Sequence, residues 1–154
     1  MKKDLGIVLL TLDNDSIYEK IFSLIKDIID HNPYDQICVF NSKNTRINTM
    51  NVPILHISQA KFFKGNLLVF DTVSLLLAKN FPNIDTIFLY ATDIFWNQSE
   101  KNMTSYSYYS DMFNTQNLQF IVPNQILYDI YSICWKKPIK ICEELKYDTI
   151  KQII

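Results

Sequence analysis

Apolar residues along this chain gather in short unbroken runs, and the polar segments between them carry helical spacing. Residues 5–12 form the first run, the pattern of a strand buried on both faces. Asp13-Asn14-Asp15 interrupts it, and Ser16-x-x-Glu19 spells a capping box. Ile17, Ile21, Leu24, Ile25 and Ile28 then recur on one helical face, so a helix is expected to about Asp30, where His31-Asn32-Pro33 stops it. Residues 36–40 predict a second strand ending at Asn41, 42–52 a polar loop, and 53–57 a short strand; 58–64 carry little pattern. Gly65 opens the clearest unit: a strand over 67–70, Asp71-Thr72 as a cap, a helix over 73–80 ended by Phe81-Pro82, and a strand over 84–90. The stretch 97–117 is polar and aromatic, with Tyr106, Tyr108, Tyr109, Met112 and Phe113 on one short helix. A strand over 118–122, a helix over 125–135 capped by Asn124, a strand over 139–142 and a tail helix over 148–154 complete the reading.

Strand and helix alternate throughout, and the strands are apolar instead of alternating apolar with polar. That is the signature of an α/β fold: a single Rossmann-like three-layer sandwich with a mostly parallel sheet and right-handed crossovers, spanning 1–154 as one domain. A chain of 154 residues has room for one such core.

Composition narrows the chemistry. No apolar run is long enough for a membrane span, and the start reads as a first strand instead of a signal peptide, which places the protein in the cytoplasm, or in a host's cytoplasm if it is viral. The net charge is −1 and Arg46 is the single arginine, so neither the basic stripe nor the arginines that read bases are present and no nucleic-acid partner is expected. Cys38, Cys134 and Cys142 lack metal-type spacing and read as reduced thiols, Cys134 as an inert packed one and Cys38 as ending a central strand. With only His31 and His56, a histidine-based triad or multi-histidine metal site is not expected; His56 reads as an at least half-buried imidazole. Gly6 and Gly65 are the only glycines, so no glycine-rich phosphate cradle can be written, and no metal or cofactor is expected.

In open parallel sheets ligands bind beyond the carboxyl ends of the strands. The candidates there are Thr11, Asp13 and Asn14 after the first strand, Asn41 after the second, Asp71 after the fourth, and Thr92, Asp93 and Trp96 after the fifth. Each has a structural counterpart: aspartates and asparagines in these places cap helices, and tryptophans pack. The run ending in Asp13-Asn14-Asp15 resembles the first motif of haloacid-dehalogenase-type phosphatases, which implies Asp13 as nucleophile and Asp15 as acid/base. The downstream acidic pair of that chemistry has no counterpart in the chain.

A second resemblance covers more sequence. Gly65-Asn66-Leu67-Leu68-Val69-Phe70-Asp71-Thr72, a short helix, and then Asp85-Thr86-Ile87-Phe88-Leu89-Tyr90-Ala91-Thr92-Asp93-Ile94-Phe95-Trp96 resemble the later part of one Rossmann half-domain of GT-B-type glycosyltransferases. The likeness is to a phage and cyanobacterial group with a Phe-Tyr-x-x-Asp-x-x-Trp run at that strand end, and with the strand at 118–122 and the segment 128–135 it spans residues 65–142. It implies a sugar or acceptor cleft at the strand ends that takes a sugar or nucleotide, with a nucleotide-sugar as the candidate ligand, although the residues that hold a donor's ribose and diphosphate have no counterpart here. Because a GT-B enzyme uses two Rossmann domains, it also implies a catalytically incomplete subunit completed by another chain. The alternative is a non-catalytic interaction or assembly protein, with a protein partner or a homo-oligomer. For that reading Tyr106, Tyr109 and Phe113 are expected to face the sheet, while Tyr108 and Met112 form a second, exposed stripe.

Overall fold

The computed structural model describes residues 4–9, 15–31, 36–42, 52–97 and 103–153. Seven strands, β1 (Leu5–Val8), β2 (Ile37–Asn41), β3 (Ile54–His56), β4 (Gly65–Val69), β5 (Ile84–Tyr90), β6 (Leu118–Val122) and β7 (Lys140–Ile141), form one sheet in the order β3-β2-β1-β4-β5-β6-β7. All six neighbouring pairs are parallel, so the sheet is wholly parallel where the sequence suggested mostly parallel. Among the described residues five α-helices accompany it: α1 (Asp15–His31), α2 (Thr72–Ala78), α3 (Met103–Phe113), α4 (Gln125–Cys134) and α5 (Tyr147–Ile150).

The unbroken apolar runs are explained by the two faces of this sheet. In β4, Leu68 packs on one face and Leu67 and Val69 on the other, all fully buried. One face is covered by α1, through Ile21, Leu24, Ile25 and Ile28, and by α5, through Ile150. The opposite face carries α2, α3 and α4, through Leu75, Ala78, Met112, Phe113, Leu127 and Tyr131. The α/β three-layer sandwich is therefore the observed architecture.

Four expectations are corrected. The first strand ends at Val8 instead of running to 12, with Leu9 buried just beyond it. Cys38 is the second residue of β2 and does not end it. The segment 58–64 is not patternless: Ile57–Phe62 is a 3₁₀ turn capped by His56 and Gln59 side chains, a box outside the usual Ser/Thr-to-Glu vocabulary. The last strand shrinks to Lys140–Ile141 and the tail helix to Tyr147–Ile150.

Candidate functional site at the carboxyl edge of the sheet

Because every strand is parallel, all seven carboxyl ends share one edge. The order reverses direction at the β1–β4 pair: the chain leaves β1 for β2 through α1 on one face, and leaves β4 for β5 through α2 on the other. Diverging connections open a crevice between their strand ends, the place where sheets of this order bind ligands. Thr11, Asp13 and Asn14, the candidates after β1, lie outside the described residues, and of Asp15 only the backbone, as the first residue of α1, is described. The phosphatase expectation on Asp13 and Asp15 thus lies outside the described side chains.

Asp71 lies just beyond β4 and caps α2. Its Oδ1 accepts the Ser74 N–H and its Oδ2 accepts the Ser74 hydroxyl, each at 2.7 Å, so both oxygens hold the first turn of α2. Asn41 closes β2 beside His56 of β3 and is 5% exposed. Thr92 and Asp93 follow β5 and are exposed. The Asp93 carboxylate accepts the N–H of Ile94 at 2.7 Å, while its backbone carbonyl accepts the Tyr131 hydroxyl at 3.0 Å. Tyr131, on α4, is a fully buried residue that ties the β5 end to the helical layer, and the sequence analysis did not single it out. Trp96 is half-buried, with its ring edge-on to Phe113, Tyr131 and Trp135 at centroid distances of 5.0–6.0 Å. It is a member of an aromatic cluster that fixes the segment after β5.

The aromatic stretch of α3 differs from its expected role as a contact surface. Met112 and Phe113 are fully buried in the core, so Met112 cannot join Tyr108 in an exposed stripe. Tyr109 is half-buried and donates its hydroxyl to the Phe95 carbonyl at 3.0 Å. Tyr108 alone is shown exposed, at 45%, and the Tyr106 side chain lies outside the described ones. The helix buries adjacent positions 112 and 113 because it wedges between sheet and aromatic cluster, presenting a wider face than one stripe.

His56 is exposed, not buried, and its Nδ1 accepts the Ser58 N–H as a cap. Cys134 is exposed at the end of α4, against its reading as a packed thiol; Cys38 and Cys142 are buried, and all three are free. Both glycines are used in packing. A Cβ on Gly6 would come within 2.6 Å of Leu67 and 2.8 Å of Phe40, while Gly65 has φ 142° and lies against the Asp4 carbonyl. Neither borders the crevice at the carboxyl edge. Among the described residues no three His, Cys, Asp or Glu side chains converge as a metal site, and no helix is long and apolar enough to cross a membrane.

Of the described candidates Asn41 is buried and both Asp71 oxygens hold α2, while Thr92 and Asp93 are exposed, a hydroxyl and a carboxylate. Such groups match the hydroxyls of a polyol better than the negative charge of a diphosphate. No protein-family model matches this sequence, and none of the curated proteins matches it.

Proposed function

We propose that this chain is a glycosyltransferase-like Rossmann domain that binds a sugar or nucleoside moiety in the β1–β4 crevice and acts as a catalytically incomplete subunit. The observation that carries the reading is the reversal of strand order at β1–β4, the kind of switch point at which sheets of this order bind ligands, with Asp71 just beyond β4 and Asn41 ending the neighbouring β2. The polar side chains exposed at this edge, Thr92 and Asp93 after the neighbouring β5, are a hydroxyl and a carboxylate, groups that suit a hydroxyl-rich ligand. The scarcity of glycine and arginine supports incompleteness, because diphosphate binding uses glycine-rich turns, helix N-termini and arginine forks.

Thermal unfolding in the presence of monosaccharides, nucleosides and nucleotide-sugars, each with and without Mg²⁺, tests this. A ligand bound by the native state raises the midpoint progressively, by about 2.7 kcal/mol of apparent stability at a hundredfold excess over Kd. The expected result is a shift with a sugar or nucleoside that disappears in a Thr92→Val/Asp93→Ala double variant. No shift with any of these compounds overturns the reading.

A further inference from the structure

The sheet's β7 edge has the composition of a self-complementary interface. Among the described residues no strand pairs beyond β7. The Cys142 N–H donates to the Val122 carbonyl on β6 at 2.7 Å, so the Ile141 carbonyl, the other half of that peptide unit, points to the open side. An edge of this kind presents unpaired backbone groups that template another strand. Ile139 and Ile141 flank it, 43% and 36% exposed.

Beside the edge stands α4. Its Tyr131 and Trp135 rings lean on Phe113 of α3 and on Trp96. The flank turned away from the α3 contacts carries Ile126, Ile130 and Ile133 at i, i+4 and i+7. Ile126 is 71% and Ile133 84% exposed, and Ile130 is half-buried. A full-length apolar stripe on a surface helix is the mark of a face meant for contact.

The charges around β7 select the occupant. The segment Lys136-Lys137-Pro138-Ile139-Lys140-Ile141-Cys142-Glu143-Glu144 begins with two cations and ends with two anions, and its middle residue is Lys140. Lys136 is committed to the Leu118 carbonyl at 2.8 Å, and Lys140 turns its ammonium to Gln152 Oε1 at 3.3 Å. Lys137 and Glu143 are exposed. A two-fold axis through the middle of this segment pairs it antiparallel with itself and brings Lys137 of each copy to the glutamate end of the other. The same axis sets the two α4 stripes antiparallel to each other, since one two-fold acts on the whole chain. We propose that β7 and α4 form an isologous interface with a second copy of this chain, extending the sheet across the two-fold axis.

This proposal does not depend on the ligand reading, and its test contains no sugar or nucleotide. Sedimentation velocity of the full chain should give a species of twice the 18.2 kDa chain mass. Ile133→Glu and Lys137→Glu should each weaken association at least about tenfold, roughly 1.4 kcal/mol, with thermal midpoints measured at a concentration where every form is monomeric left unchanged, since both side chains are exposed. Exchanging the charges in one chain, Lys137→Glu with Glu143→Lys, should restore the dimer. A chain that remains monomeric at every concentration overturns the proposal. So does a dimer indifferent to Ile133→Glu, or a charge-exchanged variant that fails to reassociate.

Discussion

Burial sets the ionisation of the chain's most shielded acids. The Cys38 thiol is pushed up from 9.0 to about 12, first by loss of water and then by the negative charge of Asp4. The Tyr90 hydroxyl, which donates to the Cys142 carbonyl at 3.0 Å, rises from 10.0 to about 12, again by burial first and by Cys142 second. Tyr131 is raised in the same sense by burial, then by Asp93 and Tyr109. Folded-state values above the unfolded ones mean that the native chain holds more protons at alkaline pH. The stability they contribute is complete below pH 9.0 and is lost as pH rises towards about 12. Urea midpoints measured across that range should fall with increasing pH, and tyrosinate absorbance should appear together with unfolding. Tyrosinate forming ahead of unfolding would refute the link to burial. None of these environments was legible from single residues: Cys38 and Cys134 look alike in sequence, yet one sits inside a central strand and the other on an exposed helix end. What separates them is the sheet face each meets, a property of distant residues.

At the scale of elements, caps are where sequence and structure agree most closely. Asp71 and Asn124 were read as helix starts, and each accepts the N–H three residues on, at 2.7 and 2.9 Å. The helix α2 has only seven residues, too short to persist by propensity, so its first turn depends on that bond. Asp71→Ala should destabilise the protein by about 1 kcal/mol, read as a lower urea midpoint with an unchanged slope; Asp71→Asn should recover most of the loss. If Asp71→Ala leaves stability unchanged, Asp71 is not serving as a cap. Strand positions were legible where turn residues bound an apolar run: β5 and β6 fall at the expected residues 84–90 and 118–122, whereas β1 stops at Val8 inside its run. The 3₁₀ turn was not legible, because its cap is an imidazole and a carboxamide. The α3 face was misread because helical spacing gives directions around an axis but not how wide a wedge its neighbours enclose. Met112 lies within that wedge and Tyr108 outside it.

On the scale of the whole molecule, the two faces of the sheet are closed by different means. Three helices cover one face in chain order, each crossing between neighbouring strands. On the other, α1 spans the β1–β2 side, and the chain after β7 returns to cover the remainder. Leu145 and Ile150 are buried there with Phe88, Tyr90 and Ile121, and Ile153 packs against them. The return is fastened at its start by the Tyr147 ring stacked on His31 at the end of α1, with centroids 4.2 Å apart and planes 20° from parallel. Lys151 pairs with Asp148 at 2.5 Å beside it, an exposed pair that adds little by itself. This returning segment is therefore part of the core and not a tail. Ending the chain after Lys146 removes a buried Ile150 and uncovers its neighbours, and burying one such side chain is worth about 1.5–3 kcal/mol. The shortened chain should melt well below the full one, bind a hydrophobic dye and lose cooperativity on the α1 face, as read by amide exchange in α1 against β6. Single substitutions at Lys151 or Asp148 should leave the midpoint nearly unchanged. A shortened chain as stable as the full one would mean that α1 and the sheet close this face without it.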